Sequence, residues 1–154
     1  PPCVLLTHAL VWTCAVWGEG GGWLAVGYLC PVVPALALYD FGAMARSMTA
    51  EVAEDEPVPL RVVVRPELFS ALAEGYLEAA GTFLNGRERS LLVTSARVIT
   101  YEQALRFLTD HLDGDRYYRL ERRGQNLDRA RVQLALLRDF TERKIELEKI
   151  VARS

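Results

Sequence analysis

Three scarcities limit what this chain can be. Cysteine occurs only at Cys3, Cys14 and Cys30, an odd number at wide spacing, which fits neither a disulfide framework nor a CxxC zinc site. That usage points to a reducing, cytoplasmic setting, with Cys14 and Cys30 as small buried hydrophobes. An excess of basic charge is lacking as well: 18 Lys and Arg stand against 20 Asp and Glu, for a net charge of −2. The surface is therefore a poor match for a polyanion, and nucleic acid is not an expected partner. The run Arg116–Arg123 (RYYRLERR) mixes basic and aromatic residues in the manner of a single-strand binder, but its acid and the overall negative charge favour a solvated loop. Pro1-Pro2 opens the chain with neither a Met nor a basic region ahead of the apolar residues, so a secretory signal is not expected and the chain reads as a piece or a processed product.

The third scarcity is regional. From Pro1 to Tyr39 the only full charge is Glu19, and every other Asp, Glu, Lys and Arg lies at Asp40 or beyond. Two regimes thus share one domain, residues 1–154: an apolar segment over 1–39 and a helical part over 40–154. In the first, residues 3–17 and 23–39 form apolar runs about the turn Gly18-Glu19-Gly20-Gly21-Gly22, β-branched and aromatic enough to read as one or two short buried strands. A membrane hairpin is the alternative, but both runs fall short of the roughly 20 residues that a spanning helix needs, and Pro31 and Pro34 interrupt the second. Trp12, Trp17 and Trp23 would fill the core or cover an adjoining surface.

Helical periodicity begins at Asp40, which can cap the first helix. Residues 51–59 (EVAEDEPVP) form an acidic, proline-bearing linker. Pro66 suits a first helical turn, Leu68, Leu72, Tyr76 and Leu77 recur on one face, and Gly81 ends that helix. Another helix is expected over 88–98, and Thr100 with Gln103 fits a capping box. Leu105, Leu108 and Leu112 then continue on one face up to the breaker Asp113-Gly114-Asp115. The last helix opens at Asn126 and runs toward Ala152, with Leu127, Ala130, Leu134, Leu137 and either Ile145 or Leu147 inward and a charged, fraying tail. The expected fold class is α+β, mainly α: a short N-terminal β element packed on four or five helices.

Four stretches carry a resemblance: Leu36–Ser47 (LALYDFGAMARS), Ala53–Pro57 (AEDEP), Ile99–Arg119 (ITYEQALRFLTDHLDGDRYYR) and Asn126–Leu137 (NLDRARVQLALL). Together they resemble the C-terminal lobe of aminoglycoside-phosphotransferase-like sugar kinases, particularly the N-acetylhexosamine 1-kinase type, over Thr7 to about Arg138. The resemblance implies a protein-kinase-like lobe, a hexosamine-like sugar as substrate, and magnesium and ATP as the family's cofactors. Phosphoryl transfer depends on positioning: an Asp for the attacking hydroxyl, an Asn and an Asp for magnesium, and an upper lobe over ATP.

Carried onto this sequence, the family's functional positions are changed. With His8 at the catalytic-loop histidine, the Asp position falls on Leu10 and the Asn position on Ala15, while the metal-binding Asp-Leu-Asp segment falls on Tyr28-Leu29-Cys30. None of Leu10, Ala15, Tyr28 or Cys30 offers a carboxylate or amide. Asp40-Phe41-Gly42 spells the magnesium-binding letters of protein kinases, but in this family that stretch lies downstream of the metal site, so Asp40 is expected to be structural. No glycine-rich loop followed by a strand Lys precedes Thr7, so the upper lobe is expected to be absent. Arg106 and Tyr117 stand in the region that walls the family's sugar pocket, where they would hydrogen-bond hydroxyls and stack on a pyranose. Their structural alternative pairs Arg106 with Asp110 or Asp113 and packs Tyr117 under the loop. The expected function is that of a sugar-kinase lobe which is not catalytic as it stands and holds neither metal nor cofactor. The alternatives are a protein-interaction or self-association module using the apolar N-terminal region, with another copy or an upper lobe as partner, and a membrane-associated hairpin.

Overall fold

The computed structural model describes residues 37–50, 52–56 and 62–154. Six helices follow one another: α1 (Ala37–Met48), α2 (Pro66–Ala80), α3 (Gly86–Ser90), α4 (Leu92–Leu112), α5 (Gln125–Glu142) and α6 (Lys144–Arg153), with no strand among the described residues. Apart from its last residues, the proposed β element lies outside them, as do His8, Leu10, Ala15, Tyr28, Cys30 and the three tryptophans. No helix of the described residues is long and apolar enough to cross a membrane.

The boundary expected at Asp40 moves. Helix α1 is already formed at Ala37, so residues 37–39 are helical and Asp40 sits inside the first turn rather than capping it. An acid there still complements the positive end of the helix dipole. Asp40 also lies close to Tyr76, whose hydroxyl donates to Ala37 O at 2.7 Å and whose pKa is pushed up to about 12 by burial first and then by the charges of Asp40 and Glu88.

Phe41, the next residue, is fully buried and meets Phe69 edge-on at 5.8 Å and Tyr76 at 5.2 Å; Phe69 in turn meets Phe140 at 6.5 Å. This aromatic chain ties α1, α2 and α5 together, each pair contributing about 0.5–1.5 kcal/mol beyond area burial. On α2 the inward residues are Phe69, Ala73, Leu77 and Ala80, with Leu72 and Tyr76 half-buried and Leu68 turned outward. Pro66 occupies the first turn, where its missing N–H costs nothing. Beyond Ala80, Gly81 closes the helix with its N–H on Leu77 O.

The segment expected over 88–98 is two helices. Asn85 and Glu88 make a reciprocal capping box at the start of α3 (2.9 and 2.8 Å), and Leu91 separates α3 from α4. Thr100 and Gln103 form no such box. Thr100 lies in the middle of α4, fully buried, and its hydroxyl donates to Ala96 O at 2.7 Å. Helix α4 buries Leu92, Val93, Ala96, Ile99, Thr100, Ala104, Phe107 and Asp110, so its inward face is not the one that Leu105, Leu108 and Leu112 mark. Residues Leu105 and Leu112 are exposed.

The final helix is also two. Helix α5 ends at Glu142, and α6 continues with Leu147 fully buried and Val151 nearly so, so the tail packs rather than frays. Ala130 and Leu147 point inward as expected, joined by Val132, Leu136 and Phe140, whereas Leu134 and Ile145 are exposed. The acidic linker is tied down where it is described: Glu54 pairs with Arg46 at 3.0 Å. After it, Arg65 N–H donates to Thr49 O at 2.8 Å and Val64 N–H to the Asp139 carboxylate at 2.7 Å.

Helices α1 and α4 cross at Gly42. A Cβ there would lie 2.6 Å from Ile99 Cγ1 and 2.7 Å from the Ser95 carbonyl, and a helix backbone does not give way. Gly75, exposed on α2, has nothing within 4 Å of its Cβ position. Gly42→Ala is expected to destabilise by about 1–3 kcal/mol through overpacking. Gly75→Ala should stabilise by about 0.5–1 kcal/mol through helix propensity. Urea unfolding of both variants checks the pair, and a stabilised Gly42→Ala would refute the close crossing.

Candidate functional site

Helix α4 ends in a Schellman motif. Asp113 caps it, Gly114 follows in the left-handed region (φ 86°), Gly114 N–H reaches His111 O, and Asp115 N–H reaches Asp110 O at 2.7 Å. Asp115 is left-handed too (φ 58°), a conformation that Asp tolerates better than most residues. The chain is thereby turned back over its own helix end.

What fixes the stretch beyond is the side chain of Asp110, in the last turn of the helix and buried. Its Oδ1 accepts the backbone N–H groups of Arg116 (2.9 Å) and Tyr117 (2.8 Å), and its Oδ2 accepts Tyr118 N–H (3.0 Å) and the Asn126 amide (2.7 Å). Burial by itself would raise the carboxyl pKa, but the three backbone donors and Asn126 outweigh it and hold the group below its ordinary value.

Asn126, at the start of α5 and fully buried, extends the network. Its second amide hydrogen goes to Asp115 Oδ1 at 3.0 Å, and its oxygen accepts from Arg129 at 3.1 Å. Arg129 lies over the Phe107 ring at 5.6 Å. Gln125 accepts Glu121 N–H at 2.8 Å and donates to Asp55 at 2.9 Å, while Arg122 bonds Asp128 (2.6 Å) and the Asp55 carbonyl (2.9 Å). The connection between α4 and α5 is thus bonded to both helices and to the acidic linker.

Clamping the backbone at 116–118 presents a cluster of rings. Tyr118 leans on Phe107 at 4.8 Å and accepts from Gln103 at 3.3 Å, and Tyr117 stands edge-on to Tyr118 at 4.9 Å with 80% of its surface exposed. Tyr117 is therefore not packed under the loop. Arg106, on the exposed side of α4, pairs with Glu102 at 2.6 Å rather than with Asp110 or Asp113. Its guanidinium is held charged by Glu102 first, with smaller contributions from Tyr39 and Tyr118. Tyr117 and Tyr118 are thus neighbours, and Arg106 lies near the Tyr118 hydroxyl, which sets one cation and one exposed ring on either side of Tyr118.

Asp110, Asn126, Gln125 and Tyr118 are the residues that the sequence reading missed. The signal was an acid in phase with Ala96, Ala104 and Phe107, on the face that turned out to be inward. Among the described residues, no group of three or more His, Cys, Asp and Glu is placed to hold a metal ion. An open groove of about 710 Å³ around Arg89, Val93 and Arg153 contains none of the residues named here.

Asp110→Ala strands three backbone N–H groups, and Asp110→Asn turns an NH₂ toward donors. Either change should lower the melting temperature by at least about 5 °C. The pH dependence has a definite sign. The folded pKa lies below the unfolded value of about 3.9, so the stabilisation is complete above that value and is lost as pH falls through the carboxylate range to the folded pKa. Melting curves taken from neutral pH into acid should converge for the wild type and Asp110→Asn, and curves that stay parallel would contradict the clamp. No protein-family model matches the chain.

Proposed function

We propose that the chain is a sugar-kinase C-terminal lobe that is not catalytic as it stands and retains a surface for a hexosamine-like sugar at Arg106, Tyr117 and Tyr118. The observation that carries this reading is the clamp at Asp110: a buried carboxylate accepting four hydrogen bonds holds an exposed Tyr117 against Tyr118, whose hydroxyl lies near Arg106. Rigid presentation of an exposed aromatic residue next to a cation suits a ligand with one apolar face and a rim of hydroxyls, which is the chemistry of a pyranose. Stacking on Tyr117 would hold the sugar ring, and the Arg106 guanidinium, turned from Glu102, would donate to its hydroxyls or N-acetyl oxygen.

The resemblance puts the phosphate-handling groups at Leu10, Ala15, Tyr28 and Cys30, and side chains of those types neither accept a hydroxyl proton as a carboxylate does nor supply hard oxygen ligands to magnesium.

Saturation-transfer NMR with N-acetylglucosamine and N-acetylgalactosamine tests the sugar surface. Signal is expected with the wild-type chain, with affinity about tenfold weaker in Tyr117→Ala, matching a lost stacking contact of roughly 1.4 kcal/mol. No transfer to either sugar, or transfer indifferent to Tyr117→Ala and Arg106→Ala, would refute it. Magnesium-ATP is expected to leave the melting temperature unchanged, whereas a bound nucleotide at about 100 times its dissociation constant would contribute roughly 2.7 kcal/mol, a shift of several degrees. Such a shift, abolished by EDTA, would refute the non-catalytic reading.

A further inference from the structure

Helix α4 is apolar on two sides. One side packs inward through Ala96, Ala104 and Phe107. The other carries Val98, Tyr101, Leu105, Leu108 and Leu112, spaced by alternating steps of three and four residues, and Leu91 and Thr94 continue the same alternation one heptad earlier. That is the a/d spacing of a coiled-coil seam from Thr94 to Leu112 on the helix, with Leu91 just ahead of its first residue. The side is open: Val98 is 56% exposed, Leu105 43% and Leu112 78%, with Leu91 and Tyr101 also exposed. A helix with apolar residues on both sides is ordinarily covered on both.

We propose that this seam is a self-association surface, on which a second copy of the chain docks through its own α4, parallel and in register. Three observations select that occupant. First, a heptad seam is self-complementary, because the same helix brought by a two-fold axis supplies knobs and holes at matching heights. Second, the flanks of the seam bear opposite charges five residues apart, at Arg97, which also donates to Thr141 at 3.1 Å, and at Glu102, which also pairs with Arg106 at 2.6 Å. In a parallel pair this offset sets Arg97 of each copy opposite Glu102 of the other, whereas an antiparallel pair would face like with like. Third, Leu91, Val98, Tyr101, Leu105 and Leu112 together expose roughly 500 Å² per copy, so a pair that covered all of it would bury up to about 1,000 Å², the size at which a specific interface begins. Neither Tyr117 nor Arg106 belongs to the seam, but Glu102 on its flank pairs with Arg106, so the Val98→Glu/Leu105→Glu series, which leaves Glu102 in place, is the test that separates this inference from the sugar reading.

Sedimentation velocity on the full chain, from low to high micromolar concentration, tests it. The expected result is a concentration-dependent dimer that Val98→Glu/Leu105→Glu weakens at least about tenfold. Both positions are exposed, so an unchanged circular dichroism melt verifies that the variant folds. A second series guards the orientation. Arg97→Glu should weaken the dimer by setting two acids face to face, and Arg97→Glu/Glu102→Arg should restore it. A monomer at every concentration overturns the proposal, as does a dimer indifferent to the seam variants. Because every tryptophan lies at Trp12, Trp17 or Trp23, a monomer whose tryptophan emission shifts in Val98→Glu/Leu105→Glu overturns it too, and names residues 1–36 as the occupant of the seam.

Discussion

The Asp110 carboxylate accepts four hydrogen bonds between the end of α4 and the start of α5, and the connection between those two helices depends on it. A carboxylate withdrawn from water is expensive unless donors replace the water, and here three come from consecutive peptide groups and one from a buried amide. Because the peptide donors belong to Arg116, Tyr117 and Tyr118, satisfying the charge also dictates the backbone path. That path in turn decides where Tyr117 and Tyr118 stand. Through Asn126 the same charge sets the entry of α5 and its pairing with α4. A side chain that touches no ligand thereby shapes the surface that would meet one.

Asp40-Phe41-Gly42 shows how a familiar trio of letters can serve other ends. Phe41 is the middle of an aromatic chain, Gly42 allows α1 to cross α4 at backbone contact, and Asp40 sits in the first turn of α1 beside Tyr76. Each role follows from helix geometry: three successive residues project about 100° apart, so one meets the core, one the crossing helix and one the rim.

The sequence was legible where local chemistry decides the structure. Pro66 and the Asp113-Gly114-Asp115 break mark true helix ends, because a missing N–H or a left-handed residue acts within one turn whatever the tertiary context, and Gly81 ends α2 in a right-handed conformation with its N–H on Leu77 O. It misled on faces. Helix α4 has two apolar stripes, and periodicity by itself cannot say which of them packs inward; choosing Leu105, Leu108 and Leu112 put Asp110 out of phase and hid the clamp. Thr100 with Gln103 fits a capping box but lies in mid-helix, where the threonine hydroxyl bonds back to Ala96 O. The α6 tail, rich in charge, looked solvated, yet Leu147 and Val151 alone give it a buried edge. Of the candidate sugar surface, Arg106 and Tyr117 were legible through a resemblance, while Tyr118 and the network beneath it required the structure.

Amide hydrogen exchange at residues 116, 117 and 118 tests the clamp most directly. These groups lie in an irregular connection, outside any helix, and would exchange within the dead time if solvent were their partner. With Asp110 as acceptor they should be protected at neutral pH to an extent approaching that of the α4 amides, and Asp110→Ala should abolish their protection while the amides around Ala96 keep theirs. Rapid exchange at all three in the wild-type chain would contradict the account.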